Sequence, residues 1–364
     1  MKYHHFKQET LAFVLDLVQK DDFLTSIDLT DAYFSISIHD DYKKFLCFSW
    51  KGLLYEFQVM CFGLASAPRV FTKVLKPVYS FFRKLGIRCI YYIDDSLNMH
   101  QNYNKCLQNT EIMVKMLDNL GFRINQKKSV LIPTRRIIFF GLIIDTVQFK
   151  VFLTQEKINK IISSATLILK QREVTIRSLA SFIGLLIHAF HAVSYGPLHY
   201  RNLERNKIRA LRAFFGDYDM KVVISKDSET EIKWWISNLK YSNGKLIRPN
   251  PVDYWIETDA SLDGWGCKFG NNLTGGRWTK TESQYHINYL ELLAIFLSLK
   301  AFFANKSSIH IGIRSDNTTA VSYINEMGGM TSDLLDILSS EIWSWCSERD
   351  ILSRHQHPLQ AMDN

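Results

Sequence analysis

The stretch CIYYIDDSLNM, residues 89–99, sets two aspartates side by side at the end of an almost unbroken apolar run. Adjacent carboxylates repel each other, and apolar surroundings raise the cost of ionising both. The run IRCIYYI predicts a strand buried on both faces, so the sheet that holds it is covered on both sides. Asp94 and Asp95 fall where that strand ends. Asp tolerates turn conformations, so one reading of the pair is a hairpin turn. The other is an acid site at a strand end. FLTSIDL (23–29) predicts a second strand that closes on Asp28. If the two strands are neighbours, Asp28, Asp94 and Asp95 converge at one sheet edge. Three ionised acids in a partly apolar site need counter-charge, which bound Mg2+ would supply. Two such ions about 3.5–4 Å apart activate a hydroxyl and hold both ends of an in-line phosphoryl displacement.

Around these strands the first half alternates strands and helices. FLCFSW and LLYEFQV flank Lys51 and Gly52 and predict a hairpin. SAPRVFTKVLKPVYSFFRKLG predicts a helix capped by Ser66, with Pro68 in its first turn, a kink at Pro77 and a stop at Gly86. Its apolar stripe is Val70, Phe71, Val74, Leu75, Val78, Phe82 and Leu85. A second helix ends at NLG (119–121), and the short strands FRI, SVLI and IIFFGLIID follow. From about Leu153 to Tyr241 the pattern is helical and basic. YRNLERNKIRALR carries Arg201, Arg205, Lys207, Arg209 and Arg212 against one acid, Glu204. A solvated helix face and a nucleic-acid track explain it equally well. NGKLIRPNPVD reads as a linker. Beyond it, DYWIETD, GWGCKFG and SIHIGIRSD predict strands, and SQYHINYLELLAIFLSLKAFFANK, NTTAVSYINEM and SDLLDILSSEIWSWCSE predict helices. Asp259 and Asp316 lie at strand ends, and Glu291 lies inside the apolar helix. A charge in such a stripe sits at its polar edge or faces the other two acids.

With 364 residues, 47% of them hydrophobic, more than one domain is expected. The net charge of +8 is compatible with a polyanionic partner without requiring one. The six cysteines are scattered with no CxxC pair, which predicts reduced thiols rather than a disulfide framework. The N-terminus is not a signal peptide, and the longest apolar run, LASFIGLLIHAF, is too short to span a bilayer. These features predict an intracellular protein, cytoplasmic or nuclear, with no membrane association.

The context of the aspartates resembles the palm domain of reverse transcriptases. SIDLTDAYFSISI is similar to motif A, MCFGLASAPRVFTKVL to motif B, YIDD to motif C, LGFRINQKKSVL to motif D and IIFFGLIID to motif E, the primer grip. The resemblance implies an RNA-directed DNA polymerase in which Asp28, Asp94 and Asp95 ligate two Mg2+, with Mn2+ an alternative. Tyr33 would lie under the incoming deoxynucleotide's sugar and exclude a 2′-hydroxyl; by itself a core aromatic fits that position. The backbone at Asp31 and Ala32 would meet the triphosphate, and Phe62 and Gly63 would line the nucleotide pocket. Lys128 would donate a proton to pyrophosphate, a role no better supported than a solvated charge. Phe140 and Gly141 would hold the primer end.

Asp259, Glu291 and Asp316 repeat the carboxylate logic. Their order on strand, helix and strand resembles the ribonuclease H fold, in which water replaces the 3′-hydroxyl as attacker. The implied fold is a multidomain α+β and α/β chain. Residues 1–150 would be the palm with partial fingers, 151–245 a helical thumb or connection, and 252–364 a ribonuclease H-like mixed sheet with helices. Its partners would be an RNA template, a DNA primer, the RNA/DNA hybrid and deoxynucleoside triphosphates. FGLASAPRVFTKVLKP, NQKKSVLIPTRRIIFFGLIID, HINYLELLAI and DNTTAVSYIN resemble retrotransposons of the DIRS type, with the gypsy type the nearby alternative. Against the family pattern, the basic finger strands before motif A and the fourth ribonuclease H acid after Asn364 are expected to lie outside the sequence, with Asp363 a poor substitute. The alternative function is therefore a non-catalytic nucleic-acid-binding remnant.

Overall fold

The structure is a computed structural model and describes residues 8–356. The chain forms two compact units. One runs to Thr154 and includes Leu246–Arg248; the other comprises Gln155–Lys245 and the residues from Pro249 onward. Asp363 and Asn364 lie outside the described residues.

In chain order the first unit holds α1 (Leu11–Leu17), β1 (Phe23–Thr30), α2 (Asp40–Lys43), β2 (Cys47–Trp50), β3 (Leu53–Glu56), α3 (Ala67–Lys84), β4 (Arg88–Tyr92), β5 (Asp95–His100), α4 (Tyr103–Asn119), β6 (Arg123–Ile124), β7 (Val130–Thr134), β8 (Arg136–Phe139), β9 (Leu142–Asp145) and β10 (Lys150–Leu153). β4, β5, β1 and β6 form an antiparallel sheet, and β7 also pairs with β1. Both faces of this sheet are covered, as the apolar run predicts. Ile27 and Leu29 pack with Phe71, Leu75 and Phe82 of α3 and Met113 and Leu117 of α4. Leu24, Ile90, Leu97 and Met99 pack on the other side with Val14 of α1 and Ile137 and Phe139 of β8.

The α3 stripe differs from the expected one. Phe71, Leu75 and Phe82 are buried, but Val74 and Leu85 are exposed and Tyr79 takes the inward position. A period of 3.6 residues carries the buried face from Leu75 to Tyr79 rather than to Val78. Ser66 makes no side-chain cap, and the helix continues through Pro77. The predicted hairpin β2–β3 is present, with Lys51 (φ 50°) and Gly52 (φ 78°) as its turn. The NGKLIRPNPVD segment is more than a linker. Ile247 N donates to Phe149 O, and Arg248 donates to the carbonyls of Asp16 and Val18 at the end of α1.

The second unit begins with α5 (Gln155–Gln171), β11 (Glu173–Thr175), α6 (Ile176–Ala189), α7 (Arg201–Ala213), β12 (Lys221–Val223) and α8 (Lys226–Ser242). Trp235 of α8 is fully buried and donates through Nε1 to His199 O at 2.7 Å. A Cβ on Gly196 would lie 2.9 Å from Phe190 and 3.0 Å from Trp235, so this close approach needs glycine. After β13 (Lys245–Leu246) come β14 (Tyr254–Ala260), β15 (Gly264–Phe269), β16 (Asn272–Arg277), α9 (Ile287–Phe303), β17 (His310–Arg314), α10 (Thr318–Asn325), α11 (Asp333–Ser347) and β18 (Leu352–Gln356). Their sheet order is β16-β15-β14-β17-β18. β17 is parallel to β14 and β18, whereas β15 is antiparallel to both its neighbours. β16 and β18 were not predicted. β16, NLTGGR, is glycine-rich and exposed at five of its six positions with no apolar alternation, so it carries no strand signal. Together the two units are a mixed α+β and α/β architecture. Cys61, Cys89, Cys106, Cys267 and Cys346 are buried free thiols, and Cys47 is an exposed one. Among the described residues no helix is long and apolar enough to cross a membrane.

One buried charge fixes the entry to β1. Asp22 is fully buried and accepts from Arg88 Nη2 and from Gln101 Nε2, both at 2.5 Å, and from Gln19 N at 2.8 Å. Arg88→Ala leaves that carboxylate without its cation. The expected cost is about 3–5 kcal/mol in chemical denaturation, while the pair Asp22→Asn with Arg88→Met costs less. Equal losses in the two proteins would contradict this account.

Candidate active sites

The register of β1 against β5 pairs Asp28 directly with Asp95. Asp94 is in the two-residue turn between β4 and β5, where Tyr92 pairs with Asp95, and its carbonyl accepts from Leu29 N at 2.9 Å. Asp94 thus lies in a hairpin turn, while Asp95 opens β5 directly opposite Asp28. The turn's other residue, Ile93, has φ 54°. A β-branched side chain in that region costs roughly 1–3 kcal/mol, a strain typical of sites that the surrounding structure over-determines. Asp28 is held from the opposite side. Ser129 Oγ accepts from its N–H at 3.0 Å, and Asn125 N donates to its carbonyl at 2.8 Å. These two supports lie about a hundred residues along the chain, and nothing local in the sequence announces them.

The acids carry the expected electrostatic strain. Burial raises the Asp95 carboxyl, the charges of Asp94 and Asp28 add to it, and its pKa is pushed up to about 6. Burial also raises Asp94, reinforced by Asp28. Lys128 offsets part of this in both cases, and its Nζ is 3.8 Å from Asp28 Oδ2. Its side chain is 70% exposed, so Lys128 is at once a solvated charge and the partner of Asp28.

Asp31 (φ 51°) precedes a short 3-10 turn, Ala32–Ser35, that buries Ala32 and Tyr33. The Tyr33 ring packs 5.2 Å from Phe62 and 5.5 Å from Phe71. Burial, and then the charge of Asp94, raises the Tyr33 hydroxyl pKa, so the ring is a core aromatic that borders the acids. Phe62 is 61% exposed and also meets Phe34 edge-on at 5.3 Å. Gly63 follows with φ 87°. Phe140 (φ 50°) and Gly141 (φ 66°) form the turn between β8 and β9, and Phe140 meets Tyr92 at 4.9 Å. Phe140 therefore touches the strand that leads into Asp94.

The second cluster is tighter. β14 and β17 run parallel with Glu257 opposite Arg314, so Asp259 and Asp316, each two residues further on, leave the sheet at the same level. Glu291 on α9 faces them from a buried position, 3% exposed. Carboxylate oxygens of the three lie within 4.8 Å of one another, a spacing that could hold a metal ion. Among the described residues the palm acids do not reach that spacing. Ala260 N donates to Glu291 Oε1 at 3.3 Å, and Ser315 Oγ to Oε2 at 3.5 Å. Burial and then the charges of Asp259 and Asp316 push the Glu291 pKa up to about 7.

The sign of the pH effect follows. Glu291 holds its proton in the folded chain to about pH 7, whereas its ordinary value is 4.5. Between these limits the folded state binds more protons than the unfolded one, so stability falls as pH rises. In EDTA, Glu291→Gln is expected to gain thermal stability relative to the unaltered protein as pH rises from about 5 to about 8. A difference in melting temperature that is constant over this range would refute the assignment.

Residues 3–144 match the family described as "Reverse transcriptase (RNA-dependent DNA polymerase)". An "Enzymatic polyprotein" of Cauliflower mosaic virus (strain CM-1841) is 25% identical over 350 residues, covering 89% of this chain and 48% of the relative. The "Gag-Pol polyprotein" of Walleye dermal sarcoma virus is 26% identical over 182 residues, 50% of this chain and 10% of the relative. The chain spans about half the length of the first of these relatives or less. In fold it is similar to the foamy viral protease-reverse transcriptase in complex with double-stranded DNA, with TM-score 0.57 and 17% identity over 97% of this chain and 60% of that one. A second foamy viral structure, in complex with an RNA/DNA hybrid, gives TM-score 0.56 and 17% identity over 96% and 46%. The family match is confined to residues 3–144, less than half of the chain.

Proposed function

We propose that the chain is an RNA-directed DNA polymerase that extends a primer 3′-hydroxyl with deoxynucleotides and hydrolyses the RNA of the resulting hybrid. The observation that carries the polymerase reading is the Asp28–Asp95 register with Asp94 in the adjoining turn, inside a segment matched to the family. The residues present suit divalent cations: two carboxyls are pushed upward by burial and by uncompensated negative charge, with one exposed lysine as partial relief. Asp28, Asp94 and Asp95 would hold Mg2+, which when bound supplies charge stabilisation to both the attacking and the leaving oxygen. Tyr33, fixed between Phe62 and Phe71, has little freedom to yield to a 2′-hydroxyl, so deoxynucleotides are preferred. Asp31, Ala32 and Gly63 border the triphosphate, Phe140 and Gly141 the primer end, and Lys128 donates a proton to the departing pyrophosphate.

A second activity is favoured by the separate cluster of Asp259, Glu291 and Asp316. In this reading Asp259, Glu291 and Asp316 would hold Mg2+, which would supply charge stabilisation while water adds to an RNA phosphodiester and the sugar 3′-oxygen leaves as its P–O bond breaks. Residues 1–150 act as palm with partial fingers, 151–245 as thumb or connection, and 252–364 as the ribonuclease H-like part. The origin we infer is a retrotransposon of the DIRS type, with the gypsy type as alternative, on the wording of the four segments quoted above.

The test is primer extension on an RNA template with Mg2+. Asp94→Ala is expected to lower extension about a thousandfold while sparing hybrid hydrolysis. Asp259→Asn is expected to do the reverse. A protein with neither activity, but with hybrid binding whose log affinity falls linearly with log salt, is the non-catalytic remnant instead.

A further inference from the structure

Neither a solvated face nor a nucleic-acid track describes two of the five basic residues of α7. Arg205 is 14% exposed. Its Nη1 lies 2.9 Å from Asp336 Oδ2, and its Nε lies 3.1 Å from Asp333 Oδ1 without the alignment of a hydrogen bond. Its Nη2 donates to Gly329 O at 3.2 Å. Arg201 Nη2 reaches Glu326 O at 2.9 Å and Gly328 O at 3.3 Å. Three consecutive stops along one loop are thus held by two guanidiniums of a different part of the unit. The loop is also folded around a buried anion. Asp336, 5% exposed, accepts from Gly329 N at 2.9 Å, and a Cβ on Gly328 (φ 119°) would lie 2.4 Å from its Oδ1. Removing one partner from such a buried pair leaves the other charge uncompensated, so the loop loses its reason to hold this shape.

The loop continues into a wall. Thr331 and Ser332 line a cavity of about 550 Å³ together with Asn288, Thr318 and Thr319. Asn288 lies one turn before Glu291 on α9, and Asn317 Nδ2, next to Asp316, donates to its Oδ1 at 2.9 Å. The cavity therefore adjoins the second acid cluster. Its hydroxyls and amides can donate to and accept from a sugar–phosphate backbone.

We propose that Arg205 is a positioning residue for the second cluster: without touching substrate, it sets from α7 the loop that walls the cleft beside Asp259, Glu291 and Asp316. The proposal rests on the ribonuclease H reading of that cluster. Its consequence is specific. The loop governs how well the hybrid is seated, while the three acids govern the chemistry, so loss of Arg205 acts on half-saturation and not on the maximal rate. Lysine keeps the charge but not the planar fork that serves Asp336 and Gly329 together, so it rescues only in part.

The experiment uses the full chain with Mg2+ and an RNA/DNA hybrid, with single-turnover hydrolysis measured against protein concentration. Arg205→Ala is expected to raise the half-saturating concentration about tenfold and leave the plateau rate within about twofold. Arg205→Lys is expected to fall between. Hydrogen exchange is expected to quicken at residues 327–332 in Arg205→Ala and to stay slow in β14 and β17. An unshifted half-saturation, or a fall in plateau rate alone, overturns the proposal. If Arg205→Ala does not fold, Arg205→Lys decides by the same two readouts. A native chain that hydrolyses no hybrid defeats the ribonuclease reading itself, and the proposal with it; hydrolysis with an unshifted half-saturation defeats the proposal alone.

Discussion

The fold of the first unit depends on one pairing, Asp28 opposite Asp95 in adjacent antiparallel strands. Register in a sheet is all or nothing, because a one-residue slip turns every side chain to the other face. Here both faces are buried, by Leu24, Leu97 and Met99 on one side and Ile27 and Leu29 on the other, so a slip would expose two cores at once. The apolar packing thereby holds together carboxylates that would otherwise separate. The left-handed Ile93 and the raised acids are what that constraint costs locally.

The two acid clusters reach convergence by different geometry. In the palm, antiparallel strands and a tight turn bring together two residues adjacent in sequence and one 66 or 67 positions earlier. In the second unit, parallel strands place Asp259 and Asp316 at one level, and a helix lays Glu291 across them. The helix can do so because α9 is apolar nearly all round, with Leu290, Leu292, Ala294 and Ile295 buried beside the acid. A charged side chain in that setting has favourable company only where other polar groups meet it, and here Ala260 N and Ser315 Oγ do.

Much of this was legible in the sequence, for identifiable reasons. Strong apolar runs set β1, β4 and α9, and Lys51-Gly52 set a hairpin turn. The five aspartates stood out as carboxylates at predicted strand ends, and Glu291 as a lone charge within an apolar helix. The supports did not. Ser129 and Asn125 on Asp28, and Arg205 on Asp336, are contacts between distant segments with no local pattern. The α3 stripe is ambiguous at Val74 because valine is apolar wherever it points, and the helical phase in the fold makes Tyr79 the inward residue. The basic α7 was ambiguous because charge alone does not reveal whether a guanidinium has a buried partner.

We propose that Asp28, Asp94 and Asp95 on one sheet and Asp259, Glu291 and Asp316 on another form two separate carboxylate sites for divalent cations. Calorimetric titration of the intact chain with Mn2+ tests it directly. The account predicts two classes of binding, of which Asp94→Asn removes one and Glu291→Gln the other. Absence of binding, or loss of both classes on a single substitution, would contradict it.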